Sequence, residues 1–313
     1  MTDLADLERR AAERAAARAG GEDRLRGHIV CDSLVRIFRT EGVEVMALQG
    51  LDLVVDRGEL LAVVGASGSG KSTMLNILSG LDEPTAGIAK VAGYDLLGMT
   101  ARRRLEYRRR IVGFVWQQTA RNLLPYLTSR ENVELPMRLA GKRAKNRADE
   151  LLEMVGVGHR AGARPAEMSG GEQQRCAVAV ALANNPEVLF ADEPTGELDE
   201  ATADEVFGAL RTVNAELGVT VVVVTHDKAV AGQVRRAVAI RDGKTASEVR
   251  RSARVAADGS EELHTEEYAV LDRAGRLQLP SAFVEALSLR DRVRLNLETD
   301  HVEVRPGSSE EKR

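Results

Sequence analysis

Apolar residues along this chain come in two patterns. Short runs with few polar interruptions stand at Leu60–Val64, Ile111–Trp116, Val188–Ala191 and Val219–Val224. Such runs, closed by glycine or acidic residues, predict strands buried on both faces of a parallel sheet. Longer stretches carry apolar residues at helical spacing: two patterns from about Thr128 to Val155 broken near Gly141, one from Glu172 to Ala183, and one from Glu200 to Glu216. Ahead of the first run, Ile29, Leu34, Val35, Ile37 and Phe38, then Val43, Val45 and Ala47, then Leu51, Leu53 and Val55 are spaced as strands that stop at Asp56-Arg57-Gly58. They predict an antiparallel β-layer. The fold class is therefore α/β, with a parallel core preceded by that layer and interrupted by a helical segment.

Three of the runs deliver polar residues directly past their last apolar position. Val64 leads into Gly65-Ala66-Ser67-Gly68-Ser69-Gly70-Lys71-Ser72-Thr73, Ala191 into Asp192-Glu193-Pro194, and Val224 into Thr225-His226-Asp227. In an open parallel sheet the ligand lies outside the strand carboxyl ends, so the three segments agree on one place. The glycines of the first segment let backbone N–H groups curl around phosphate oxygens, and the helix starting near Lys71 adds its positive end. Lys71 then reaches the β/γ-phosphates and the Ser72 hydroxyl ligates Mg²⁺. A glycine-rich turn that binds nothing is the alternative for this segment taken alone. Asp192 leaves a strand read as buried, where an unpaired carboxylate is costly, and a Mg²⁺ shell reached through water accounts for it. Neighbouring residues at a strand end point in different directions, so Glu193 can face the γ-phosphate as general base or water-positioning group. His226, a structural histidine if read in isolation, becomes a γ-phosphate sensor in this company.

The helix from Glu172 has Ser169 as its N-cap and Glu172 three residues on, a capping box. Ser169-Gly170-Gly171 thus offers a second anion site in a chain with one phosphate loop. Two anion sites and one loop predict a two-fold dimer in which each copy's Ser169 helix start covers the γ-phosphate held by the other's loop.

Bulk properties narrow the picture. The 313 residues carry 44 basic and 48 acidic side chains, a net charge of −4 that argues against nucleic acid or anionic lipid as the main partner. Cys31 and Cys176 are too few and too far apart for a disulfide framework, so a reducing cytosol is expected. No signal peptide and no apolar run long enough to span a membrane is read, so membrane contact comes through a partner. The six arginines between Arg102 and Arg110 read as a solvated helix face.

With these residues in view, the chain from about His28 to Gly243 resembles the nucleotide-binding subunit of ATP-binding cassette (ABC) transporters, a phosphate-loop nucleoside triphosphatase fold. The resemblance implies ATP and Mg²⁺ as ligands, an ATPase activity coupled to transport, a homodimer, and an integral-membrane permease as partner. It implies that Phe38 stacks on adenine, although periodicity alone leaves a core or edge aromatic open. Gly65 to Thr73 bind phosphate, Gln117 contacts Mg²⁺ and relays to the permease, and Met168 to Glu172 form the signature acting in trans. Asp192 and Glu193 close the second nucleotide-binding strand, Asp199 sits in the dimer-contacting loop, and His226 is the switch histidine. Val43-Glu44-Val45, Gly113-Phe114-Val115, Asn122-Leu123-Leu124-Pro125 and Glu131-Asn132-Val133 are similar to the lipoprotein-releasing and macrolide-exporting subfamily. That likeness implies an export role and a location on the inner face of the cell membrane. Phe190 and Val180 depart from the pattern, replacing an aliphatic residue and an arginine.

The domain reading is a helical extension over 1–27, the ATPase over 28–250, a small β-rich domain over 260–306 and a tail over 307–313. In the third, Tyr268–Leu271, Arg276–Pro280, Ser281–Leu287, Val293–Leu297 and Val302–Val304 read β-β-α-β-β and resemble the AbrB-like swapped-hairpin domain of transcription regulators. An ATP-responsive regulator that binds DNA through this domain is the alternative function. Against it, residues 252–313 hold nine basic and thirteen acidic side chains, the wrong balance for phosphate backbones. A dimer clamp or partner dock is the expectation.

Overall fold

The computed structural model describes residues 26–40, 43–142, 146–255, 261–271 and 275–307. All but the end of the expected 1–27 extension lies outside the described residues, as does most of the 307–313 tail. The described chain forms two compact units, residues 26–268 and a smaller one beginning at Ala269.

The first unit opens with β1 (Ile29–Thr40) and β2 (Val43–Val55), paired antiparallel. The strand β3 (Leu60–Val64) runs through the glycine loop into α1 (Lys71–Leu78). Next, β4 (Ala86–Val91) and β5 (Tyr94–Asp95) complete an antiparallel layer in the order β2-β1-β4-β5. The arginine-rich α2 (Ala101–Arg110) precedes β6 (Val112–Val115). Three helices follow, α3 (Ser129–Leu139), α4 (Arg147–Met154) and α5 (Gly170–Leu182). Then come β7 (Val188–Asp192), α6 (Glu200–Leu217), β8 (Thr220–Thr225), the short α7 (Lys228–Gly232), β9 (Arg236–Arg241), β10 (Lys244–Val255) and β11 (Glu261–Ala269).

The large sheet has the order β11-β10-β9-β3-β8-β7-β6, with β9, β3, β8, β7 and β6 parallel. Its strands read as unbroken apolar runs because both faces are covered. Leu189 and Ala191 face a core shared with Val133, Leu152, Val178 and Phe207 of the surrounding helices. Val188 and Phe190 face a second core built from α1, the antiparallel layer and Tyr107. Phe190, one of the two departures from the family pattern, fills that second core and is fully buried. Tyr107 explains why the arginine-rich helix holds its place: its hydroxyl donates to the Leu78 carbonyl at the end of α1.

One backbone junction braces the glycine loop. Gly243, in the turn between β9 and β10, donates its N–H to the Ser69 carbonyl at 3.0 Å and accepts from Gln49 N–H on β2 at 3.0 Å. The antiparallel layer, the loop and the β9–β10 turn therefore meet at a single residue. Gly243 has φ +69°, and a Cβ there would lie 2.6 Å from the Ala47 carbonyl oxygen and 2.9 Å from Leu48 Cα.

The smaller unit contains α8 (Ser281–Ala286) and the antiparallel pair β12 (Val293–Leu297) and β13 (Val302–Pro306). Two strand expectations change here. The segment around Tyr268 is the end of β11, at the edge of the large sheet, and residues 276–280 form no strand. The alternation of Leu277 and Leu279 is real, but extended backbone becomes a strand only when a neighbour completes the ladder, and Pro280 has no N–H to give. In β12 and β13 the facing pairs Leu295/Val304 and Leu297/Val302 share one side of the ladder. Leu295, Leu297 and Val302 are exposed.

Substitution of Gly243 by alanine should lower unfolding stability by about 2 kcal/mol, from left-handed strain and close contact together. Denaturant unfolding of Gly243→Ala checks this; an unchanged midpoint would mean that the junction does not brace the loop.

Candidate nucleotide-binding site

Strand register brings the site together. Val64 pairs with Thr225 and Asp192 with Val224, so the glycine loop, Asp192-Glu193 and His226 leave the sheet side by side. The loop rim, Ala66 to Gly68, is exposed, whereas Lys71 is only 6% exposed. The Lys71 ammonium donates to the Gly65 carbonyl at 2.8 Å and the Ala66 carbonyl at 2.9 Å. Gly70 precedes α1 at φ +101° with no side-chain cap on the helix, so the first-turn N–H groups have no side chain to satisfy them. A Cβ on Gly70 would lie 2.6 Å from the Ala47 carbonyl oxygen. Gly65 has a different constraint: a Cβ there would fall 2.3 Å from the Ile240 carbonyl oxygen. An uncapped helix start beside a buried cation, with backbone N–H groups and no bulk, suits a polyanion.

The Ser72 hydroxyl donates to the Asp192 carboxylate at 3.2 Å. Burial pushes the Asp192 acid above the usual carboxylate range, the Ser72 hydrogen bond opposes this, and the neighbouring Glu193 charge adds to the rise. A hydroxyl and a carboxylate that resists holding its charge unaided form a hard-oxygen donor set, which fits Mg²⁺ arriving with phosphate. Glu193 adopts φ +45°, in the left-handed region that non-glycine residues take uncommonly. Its N–H donates to the Val224 carbonyl at 2.9 Å, and its own carbonyl accepts from Gly196 N–H at 3.1 Å. The His226 ring shares a hydrogen bond with the Glu193 carboxylate, Nδ1 to Oε2 at 3.1 Å.

Gln117 joins this group through Gly196. A Cβ on Gly196 would lie 3.0 Å from Gln117 Nε2 and 3.4 Å from Glu193 Oε2, so the amide and the carboxylate flank the same glycine. The position of Gln117 follows from anchoring contacts that the sequence does not show. Asn122 closes a two-way bridge with the Trp116 backbone, at 2.9 and 2.8 Å, and Gln174 on α5 donates to the Trp116 carbonyl at 3.1 Å.

Phe38 lies on β1, 38% exposed, opposite Val45. The signature stretch and Asp199 form a separate cluster. Ser169 caps α5 with the expected box, accepting from Glu172 N–H at 3.2 Å while its own N–H donates to the Glu172 carboxylate at 2.8 Å. Arg160 also donates to Glu172, at 2.8 Å, and its guanidinium holds that acid down at about 2. Asp199 caps α6 by accepting from Thr202, and a Cβ on Gly171 would fall 2.2 Å from the Thr202 methyl. The two helix starts therefore touch each other. Among the described residues, no hydrogen bond or ion pair runs from Ser169–Glu172 to the glycine loop. Arg160 was not foreseen, and its only sequence signal is an arginine shortly before the signature.

Sheet order, uncapped glycine loop and paired acids at the end of β7, one strand beyond the neighbour of β3, define a phosphate-loop nucleoside triphosphatase. Comparison with known proteins specifies the family. The ABC transporter profile matches residues 48–196. The lipoprotein-releasing system ATP-binding protein LolD 2 of Caulobacter vibrioides is 46% identical over 213 residues, which are 67% of this chain and 92% of that protein. The macrolide export ATP-binding/permease protein MacB of Syntrophobacter fumaroxidans is 45% identical over 213 residues, but the match spans only 30% of its length. Among solved structures, the dimeric post-hydrolysis state of the ATP-binding cassette MJ0796 bound to ADP and Pi aligns with TM-score 0.64 at 38% identity, covering 70% of this chain and 97% of that one. The chain belongs to the ABC transporter family and is an ATP-hydrolysing subunit.

The raised Asp192 acid carries a stability consequence. A folded-state value above the ordinary 3.8 means that the folded form holds the proton more tightly, so its stability falls as pH rises through that range. Asp192→Asn should therefore melt above wild type at neutral pH without nucleotide, with the gap closing below about pH 4. Thermal melts at the two pH values measure it; a variant that melts lower at neutral pH would contradict the burial argument.

Proposed function

We propose that two copies of this chain close around two MgATP, each nucleotide gripped by one copy's glycine loop and sealed by the other's signature helix. The observation that carries this reading is the separation within one chain: the glycine loop with its acids forms one polar cluster, and Ser169 with Asp199 forms another. Both clusters suit anions, and only a second copy related by two-fold symmetry brings one to the other. The solved relative MJ0796 is a dimer, which supports the arrangement.

In this reading Gly65 to Thr73 hold the phosphates, with Lys71 against the β/γ oxygens and the Phe38 ring under adenine. Ser72, Asp192 and Gln117 hold Mg²⁺, which when bound neutralises charge across those oxygens. Glu193 orients the attacking water and accepts its proton. Asp192 bonds to Ser72 and Glu193 to His226, so one acid serves the metal and the other the water. His226 holds the Glu193 carboxylate through Nδ1 and senses the γ-phosphate. Gly196, between Gln117 and Glu193, leaves room for both side chains.

The motor drives an integral-membrane permease. Supporting this is an apolar groove of about 440 Å³ whose walls include Leu105, Trp116, Leu139 and Val180, with Arg108 and Arg109 beside them. Val180, where the family usually has arginine, makes that wall apolar. Trp116 immediately precedes Gln117, so a permease segment seated there acts directly on the nucleotide site. None of the described helices is long and apolar enough to cross a membrane, and the chain works on the inner face of the cell membrane through the permease. The cargo class follows the names of the relatives, lipoprotein release or macrolide export.

The unit from Ala269 onward, one helix and one strand pair in place of the β-β-α-β-β order expected over 260–306, serves as a dimer clamp. Residues 269–307 carry equal numbers of acidic and basic side chains, so two copies do not repel. The exposed Leu295, Leu297 and Val302 of the ladder, with Phe283 of α8, give such a small unit too little core without a second copy.

For catalysis, Glu193→Gln should keep MgATP affinity, slow hydrolysis roughly a hundredfold or more, and accumulate an ATP-bound dimer on gel filtration. Unchanged turnover would remove Glu193 from its role. For the clamp, removal of residues 269–313 should weaken self-association in sedimentation while leaving ATP binding in place. Undiminished association would refute it.

A further inference from the structure

The Phe38 ring has two faces, and one is already occupied. The Arg36 guanidinium carbon lies 4.4 Å from the ring centre, within cation–π range. Arg36 is itself locked. Its Nε donates to Asp82 Oδ2 at 2.8 Å and a terminal nitrogen donates to Asp82 Oδ1 at 2.7 Å, a two-point fork. Both side chains are three-quarters buried, at 22% and 24% exposure, so this pair is far from the loose surface ion pairs that contribute little.

Asp82 stands in the turn that ends α1. The N–H groups of Leu81 and Asp82 both donate to the Asn76 carbonyl, at 2.8 and 3.0 Å. The same turn grips β1 on either side of Arg36: Thr85 N–H donates to the Val35 carbonyl at 2.9 Å, and Ile37 N–H donates to the Thr85 hydroxyl at 3.0 Å. A continuous path thus runs from Lys71 at the start of α1, along the helix, through the turn, the carboxylate and the guanidinium, to the ring. Helix, paired backbone and fork are each stiff, and the ring keeps 38% exposure beside the guanidinium.

We propose that Arg36 is a positioning residue for the nucleobase: forked onto Asp82 and stacked on one face of Phe38, it fixes the ring so that adenine takes the opposite face at a span set by α1. This rests on the reading of Phe38 as the adenine platform. Two consequences follow from the chemistry. The effect belongs to the base and not to the phosphates, and lysine cannot reproduce it, because a point charge lacks the planar fork.

Full-length protein, titrated with MgATP and separately with inorganic tripolyphosphate, tests the proposal. Arg36→Met should weaken MgATP binding about three- to tenfold, the range expected for a lost cation–π support, and leave tripolyphosphate binding unchanged. The KM for ATP should rise by the same factor while kcat holds. Arg36→Lys should lose most of the same affinity. In a Phe38→Ala background Arg36→Met should add nothing, since the ring through which it acts is gone. Loss of ATP and tripolyphosphate affinity together would make Arg36 a general brace and overturn the proposal, as would unaltered ATP affinity in Arg36→Met where Phe38→Ala binds ATP weakly. If Phe38→Ala itself binds ATP as wild type does, the platform reading falls and the proposal with it.

Discussion

A buried cation without a carboxylate of its own is the constraint around which this structure is built. Lys71 is 6% exposed and rests on two backbone carbonyls. Among the described residues it forms no ion pair. Carbonyl dipoles soften the cost of taking an ammonium out of water but do not remove it, whereas a phosphate offsets it fully. Asp192 shows the converse imbalance. Its carboxylate is held above the normal range by burial and by the charge of Glu193, which a divalent cation corrects. The site thus sets a buried ammonium held by carbonyls beside a carboxylate raised by burial, and MgATP presents the opposite sign to each.

Such a site persists only where the surrounding structure over-determines it. The parallel register of β3, β7 and β8 sets the three strand ends level, and both faces of those strands are sealed by separate cores. Gly243 then ties the loop to β2 and to the turn after β9 through two backbone hydrogen bonds. Against that frame Glu193 sustains a left-handed backbone, and its carboxylate is met by His226. Strain at one residue persists because the sealed sheet and its register hold its neighbours.

Much of this was legible in the chain itself, for identifiable reasons. The buried strands announce themselves because a sheet covered on both faces needs continuous apolar residues, and the α5 start does so because a capping box is a local, four-residue device. What sequence leaves dark is contact between distant segments. Nothing marks Arg160 as the partner of Glu172, Gly243 as a neighbour of Ser69, or Asn122 as the bridge that sets Trp116 and Gln117. Gly243 looks like any other turn glycine, since the close approach of Ala47 is a property of the assembled fold. The segment at 276–280 misleads for a related reason: alternation records which face a strand would bury, not whether a neighbouring strand is present to pair with it. Phe38 stays ambiguous by periodicity, and its half-open ring beside Arg36 is visible only once β1 meets the turn after α1.

The burial of the Lys71 charge is the claim on which the rest stands, and thermal unfolding of Lys71→Met with and without MgATP tests it most directly. Wild type should gain several degrees on adding saturating MgATP, as expected for a ligand that binds only the folded form, and the variant should gain none. A variant stabilised by MgATP to the same extent as wild type would contradict the account.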